Sequence, residues 1–131
     1  MRVLLDSNAY SQLERGDLGL ATLVRGAREL PFSSVVAGEV LAGLRLGSRF
    51  ERGRASLLAF LADPRVSVVP ISLETADRYG RIYAALQKKG RPIPTNDMWI
   101  AAHTMETGAE LLSFDRHFEA IDGLVWTRLE R

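Results

Sequence analysis

The chain has 131 residues, of which 47% are hydrophobic and 25% are charged, a balance that suits a globular domain and excludes a disordered segment. It contains no cysteine, which excludes disulfide bonds, thiolate metal sites and a cysteine nucleophile. The formal net charge is +1, so the overall field gives no strong attraction to nucleic acid. We expect one domain over residues 1–131, since this length leaves little room for a second.

Apolar periodicity predicts strands that alternate with helices. The short run that ends at Leu5 is typical of a buried strand, whereas Leu73 to Lys88 has apolar residues at helical spacing. The predicted elements, in chain order, are strand 2–5, helix 9–15, helix 18–30, strand 32–34, helix 36–46, helix 50–61, strand 66–71, helix 73–88, helix 97–107, strand 110–113, a helical turn at 117–121 and strand 124–127. This alternation favours an α/β fold with a parallel sheet.

The N-terminal segment does not predict export. Asp6 follows the first apolar run before the apolar core of a signal peptide is complete. No uninterrupted apolar run approaches the ~20 residues needed to span a bilayer. We therefore expect a cytoplasmic protein, and the lack of cysteine fits a reducing compartment.

Four acidic residues stand where strands end or helices begin. Asp6 and Asp115 close apolar strands, Asp97 opens a helix, and Glu39 lies early in the helix that follows the strand near Ser34. Ligands of open parallel sheets bind beyond the carboxyl ends of the strands. Carboxylates gathered there repel one another unless a cation lies among them, and oxygen ligands favour hard ions such as Mg²⁺ or Mn²⁺.

Helix capping is the simpler explanation of three of these acids taken singly. Asp6, Asp97 and Asp115 each precede a predicted helix, where an Asp is more often an N-cap than a metal ligand. Glu39 is different, because the residues on both sides of it look buried. The four together are harder to explain by capping than any one alone.

The segments that carry these acids resemble the four acidic motifs of PIN-domain ribonucleases, in order and at matching spacing. They are Leu4-Leu5-Asp6-Ser7-Asn8, Ser34-Val35-Val36-Ala37-Gly38-Glu39-Val40-Leu41, Ile93-Pro94-Thr95-Asn96-Asp97-Met98-Trp99 and Leu111-Leu112-Ser113-Phe114-Asp115-Arg116-His117. The resemblance covers essentially the whole chain and is closest to VapC-type toxins of toxin–antitoxin pairs. Ser7 and Ser113 stand where the family often has Thr, and each keeps a hydroxyl.

This resemblance implies a three-layer α/β/α sandwich around a mostly parallel sheet, and Mg²⁺- or Mn²⁺-dependent endonucleolytic cleavage of structured RNA such as tRNA or ribosomal RNA. Asp6 and Asp97 are the expected direct metal ligands, with Glu39 and Asp115 binding directly or through water. The family also implies a VapB-like antitoxin as partner, a homodimer, and contact with promoter DNA only through that antitoxin.

Other polar residues near the motifs have two explanations each. Ser7 and Asn8 either support the metal shell or cap a helix, and Thr95 and Asn96 are more simply caps. Ser113 either orients Asp6 or Asp115 or has no such role. Arg116 and His117 either contact RNA or are simply exposed to solvent, His103 is expected to be structural, and Trp99 and Trp126 either pack in the core or stack on bases. Two basic clusters either contact phosphates or form solvated helix faces, namely Arg45, Arg49, Arg52, Arg54 and Lys88, Lys89, Arg91. A set of apolar helix residues forms either a groove for a partner or part of the core, namely Leu41, Leu44, Leu57, Leu58 and Phe60.

Three other functions compete with a nuclease. A PIN-like binding module without catalysis predicts that an acid is missing, and none is. A phosphoaspartate receiver needs a second acid beside Asp6 and a late lysine, but no lysine follows Lys89. A flap-endonuclease-type DNA nuclease needs a much longer chain.

Overall fold

Short buried strands alternate with helices throughout the computed structural model, which describes residues 1–131. The strands are β1 (Val3–Leu5), β2 (Leu30–Ser33), β3 (Val66–Val69), β4 (Glu110–Ser113) and β5 (Trp126–Arg128). The helices are α1 (Ser7–Glu14), α2 (Leu18–Arg25), α3 (Ser34–Leu46), α4 (Phe50–Leu61), α5 (Leu73–Lys89) and α6 (Thr95–Thr107), and a 3₁₀ helix spans Arg116–Ala120. No helix is both long enough and apolar enough to cross a membrane.

All strand pairs are parallel. One sheet has the order β1-β4-β5 and a second pairs β2 with β3. A parallel bridge between Arg2 and Glu29 sets β2 beside β1, with the Val3 N–H donating to the Glu29 carbonyl at 3.1 Å. The strand order across both sheets is therefore β3-β2-β1-β4-β5, and the predicted parallel α/β fold is confirmed.

The central strands are buried on both faces. Val3, Leu4 and Leu5 are at most 2% exposed although successive side chains of a strand point to opposite faces. A parallel sheet with such strands needs helices on both sides, as in the predicted α/β/α arrangement. The core contains, among others, Phe32, Ile100, Leu111, Leu112 and Phe118.

The predicted boundaries were wrong around Pro31. The helix predicted over 18–30 ends at Arg25, and Gly26 is its C-cap. The reason is tertiary: Leu30 pairs with Val66 and the bridge at Glu29 draws the following residues into the sheet. Pro31 consequently lies inside β2 rather than at a helix end.

A buried polar contact joins α6 to the start of α3. Ser33 is the N-cap of α3, and its Oγ accepts from the N–H groups of Val35 and Val36 at 3.1 and 3.4 Å. The same Oγ lies 2.8 Å from His103 Nδ1, while His103 Nε2 lies 3.1 Å from the Pro70 carbonyl oxygen. Burial lowers the pKa of His103, so the ring is neutral, with Nε2–H donating to Pro70 and Nδ1 accepting from Ser33. The structural role predicted for His103 is confirmed.

We expect Ser33→Ala to lower the free energy of unfolding by about 1–3 kcal/mol, because it removes a helix cap and leaves a buried imidazole nitrogen without its donor. The measurement is urea unfolding followed by circular dichroism. Ser34→Ala is the matched control, since Ser34 makes no side-chain hydrogen bond and its loss should change stability little. Equal effects of the two substitutions would contradict the contact.

Candidate active site

The carboxyl ends of β1 and β4 meet at one edge of the sheet, and four acids lie there. Asp6 follows β1 directly and Asp115 follows β4 after one residue. Asp97 lies in the first turn of α6, and Glu39 lies in α3, which begins directly after β2. The sheet thus brings residues from distant parts of the sequence to one edge.

Asp6 is the most buried of the four, at 6% exposure. Its Oδ1 accepts from the Ala9 N–H at 2.9 Å, so it caps α1, and its Oδ2 accepts a short hydrogen bond from the Ser113 hydroxyl. The same Ser113 Oγ accepts from the Asp115 N–H at 2.9 Å. One hydroxyl therefore orients two of the acids, as one of the two readings of Ser113 predicted.

Glu39 is held by two polar neighbours. Ser7 Oγ donates to its Oε1 at 3.1 Å, and Asn96 Nδ2 donates to its Oε2 at 3.3 Å. The capping role predicted for Asn96 and Thr95 is wrong, because Pro94 is the N-cap of α6 and makes no side-chain capping bond. Asn96 faces Glu39 instead.

Asp97 and Asp115 converge on His117. Its Nδ1 lies 3.0 Å from Asp97 Oδ2 and 2.9 Å from Asp115 Oδ1. Asp115 also caps the 3₁₀ helix by accepting from the His117 N–H at 2.9 Å. Capping accounts for part of the position of Asp6 and Asp115, but it does not account for Asp97.

The acids perturb one another electrostatically. The pKa of Asp6 is raised to about 6, mainly by burial and also by the negative charges of Asp97 and Asp115, although its hydrogen bonds to Ser113 and Ala9 lower it. Burial likewise raises the pKa of Asp97, and the charges of Asp115 and Glu39 add to that rise. Closely spaced buried carboxylates with raised pKa values are typical of a site that holds a cation.

The donor set fits a hard divalent ion. Ligand atoms of Asp97, Asp115 and His117 all lie within 4.8 Å of one another. Asp6 and Glu39 add further carboxylate oxygens within electrostatic range of Asp97 or Asp115, and no sulfur is present. Oxygen-dominated sets of this kind suit Mg²⁺ or Mn²⁺.

The remaining predicted residues divide into two groups. Ser7 and Ser113 contact the acids directly, whereas Asn8 and Thr95 are exposed and make no side-chain hydrogen bond. No local pattern predicts Asn96 as a partner of Glu39, and the sequence analysis left His117 open between RNA contact and solvent exposure. The position of His117 two residues after Asp115 was the one available signal.

Two cavities flank the acids. The larger, about 590 Å³, lies among α1, α3 and α4 and includes Glu39, Ser7 and Asn8 in its wall. The smaller, about 370 Å³, includes His117, Arg91 and Arg116. Asn8 is therefore a cavity residue beside the acids rather than a direct partner of any of them.

Comparison with known proteins gives consistent matches over most of the chain. The family model described as PIN domain matches residues 3–124. Ribonuclease VapC2 of Haemophilus influenzae (strain ATCC 51907 / DSM 11121 / KW20 / Rd) is 31% identical over 95% of this chain and 95% of its own length. The tRNA(fMet)-specific endonuclease VapC of Shigella flexneri is 31% identical over 70% of this chain and 69% of its own length.

Solved structures agree with this assignment. VapBC-1 from nontypeable Haemophilus influenzae has a TM-score of 0.85 and 26% identity, covering 98% of both chains. VapBC2 from Rickettsia felis, bound to a DNA fragment from its promoter, has a TM-score of 0.87 at 22% identity and covers 99% of this chain and 100% of that one, which supports the fold. The chain belongs to the PIN-domain family and, within it, to the VapC ribonucleases.

Proposed function

We propose that this chain is the toxin of a toxin–antitoxin pair and cleaves structured RNA, such as tRNA or ribosomal RNA, with Mg²⁺ or Mn²⁺. The observation that carries the proposal is the meeting of four carboxylates at one edge of the sheet, two of them with raised pKa values. In a binding module without catalysis, the repulsion between these carboxylates would have no function. Relatives named for cleavage of tRNA(fMet) and of the sarcin-ricin loop support structured RNA as the substrate class.

We assign the ion to Asp6 and Asp97 as direct ligands, with Glu39 and Asp115 binding directly or through water. When bound, a divalent ion supplies Lewis acidity, which activates water and stabilises the charge that develops on the scissile phosphate. The protein contributes the orientation of these ligands. Ser113 fixes Asp6, while Ser7 and Asn96 hold Glu39.

The proposed partner is a VapB-like antitoxin, and the proposed assembly is a homodimer of this chain with antitoxin bound to each copy. Several structural neighbours are VapBC complexes, and two of them were solved with DNA. We propose that this chain meets DNA only through its antitoxin. Its own net charge of +1 gives no independent reason for DNA binding.

We expect Asp97→Asn to lower the rate of RNA cleavage in Mg²⁺ or Mn²⁺ by about 100-fold or more, because it removes a ligand charge from the ion. The measurement is 5′-end sequencing of cellular RNA after incubation with the purified protein. Asp77→Asn is the control, since Asp77 pairs with Arg81 on the exposed surface of α5. Wild-type cleavage by Asp97→Asn, or wild-type cleavage that persists in a chelator, would sink the metal mechanism.

Asp6→Asn should stabilise the metal-free protein at pH 7.5 by up to about 3 kcal/mol, because it removes a buried charge whose pKa rises from 3.8 to about 6. A raised pKa means that the folded state binds the proton more tightly than the unfolded state. The charge of Asp6 therefore destabilises the folded state fully above about pH 6, and this destabilisation disappears as the pH falls towards 3.8. Urea unfolding in chelator at pH 7.5 and pH 4 measures it. A gain of equal size at both pH values would contradict this origin.

Expression of this chain alone should arrest growth, and co-expression of a small DNA-binding protein encoded beside its gene should relieve the arrest. The Asp97→Asn variant should not arrest growth but should still bind that protein, because the substitution changes one side chain and leaves the fold intact. Growth curves and co-purification measure the two properties. If the variant arrests growth as strongly as the wild type, toxicity does not depend on the nuclease activity and the prediction is contradicted.

A further inference from the structure

The larger cavity has three arginines and two glutamates in its wall and lies against the acid cluster. Arg15, Arg49 and Arg52 are in its wall, contributed by the C-cap of α1, the N-cap of α4 and the first turn of α4. None of the three forms an ion pair with the protein, and all three are exposed. Glu39 belongs to the same wall, so the cavity is continuous with the carboxylates.

A close approach of two helices forms this wall. Gly53 in α4 lies so near the Leu44 side chain of α3 that a Cβ built on it would clash with the Leu44 methyl groups. The Leu44 side chain therefore packs directly against the Gly53 backbone, and α4 lies beside α3, the helix that carries Glu39. Arg49 and Arg52 lie four residues and one residue before this glycine, and they line the same cavity as Glu39.

The cavity also contains a buried tyrosine hydroxyl beside Glu14. Tyr10 is 3% exposed, and its ring packs edge-on against Phe32 and Phe60. Its hydroxyl has no partner at hydrogen-bonding geometry, although it lies near Glu14 on the same wall. Burial and the neighbouring charge of Glu14 raise the pKa of Tyr10, so the group keeps its proton and remains a donor. Buried hydroxyls without partners are uncommon in folded proteins.

We propose that this cavity binds the sugar–phosphate backbone of the RNA next to the cleaved bond, with Arg49, Arg52 and Arg15 as the phosphate contacts. The inference rests on the proposed nuclease function. Tyr10, Val40 and Leu44 are the hydrophobic residues of the wall, and its three arginines without ion pairs distinguish it from an apolar groove that receives an amphipathic helix of a partner protein. The other lining groups are mostly charged, hydroxyl or amide groups, which suit phosphates and ribose.

The test measures binding of a fluorescein-labelled, mixed-sequence oligoribonucleotide in Ca²⁺ over a range of salt concentrations. The double variant Arg49→Ala/Arg52→Ala should bind about 10-fold or more weakly, and the slope of log K against log[salt] should fall by about 1.4, since each contact to single-stranded phosphate contributes about 0.7. Arg49→Lys/Arg52→Lys should keep most of the slope, because the charges remain. Tyr10→Phe should weaken binding by a smaller factor.

Arg25→Ala/Arg54→Ala is the matched control. It removes the same charge from exposed positions that do not line the cavity, with Arg54 on the same helix as Arg52. Equal binding and equal slopes for the two double variants would overturn the proposal, as would wild-type protein whose RNA binding does not depend on salt. Weaker binding of polyglutamate by Arg49→Ala/Arg52→Ala, with RNA binding unchanged, would assign the cavity to a protein segment and also overturn it.

Cleavage of cellular RNA by the wild type is measured separately in Mn²⁺. This measurement distinguishes a failure of the cavity inference from a failure of the proposed nuclease function. If the wild type cleaves, Asp97→Asn does not, and the arginine variant behaves as its control, the cavity inference fails alone. If the wild type does not cleave, the nuclease proposal fails, and the cavity inference, which rests on it, fails too.

Discussion

The parallel pairing of β1 with β4 is the constraint on which the site depends. Leu5 lies opposite Leu112 in the register, so both strands end at the same level, and the Asp6 N–H donates to the Leu112 carbonyl at 3.4 Å. That common end lets the Ser113 hydroxyl reach Asp6 and brings Asp115 within electrostatic range of it. A slip of one residue would turn these side chains to the other face of the sheet.

The site opposes the stability of the fold that builds it. Asp6 is buried among apolar side chains and beside other carboxylates, which raises its pKa to about 6 and makes its charge unfavourable near neutral pH. The hydrogen bonds from Ala9 and Ser113 offset only part of that cost. The buried contact of His103 with Ser33 and Pro70 shows the opposite case, because both ring nitrogens have hydrogen-bond partners. The unfavourable buried charge therefore lies in the acid cluster.

The sequence was sufficient to predict the element order, the parallel sheet and the positions of the acids, because strand ends and apolar periods are local signals. The predictions were wrong where tertiary contacts determine the structure. Because Leu30 pairs with Val66, α2 ends earlier than predicted, and because α6 lies near α3, Asn96 contacts Glu39 and is not a helix cap. The bond between His117 and Asp97 joins residues that are 20 positions apart, and no local pattern predicts it.

The hydrogen bond between Ser113 and Asp6 spans a sequence separation of 107 residues. During synthesis, Asp6 leaves the ribosome early, but it gains neither its hydroxyl partner nor its neighbouring acid until β4 has been made and has paired with β1. A nascent chain without β4 therefore has no complete acid cluster, whatever helices it has already formed. The acid cluster therefore forms only after nearly the whole of this sequence has been translated.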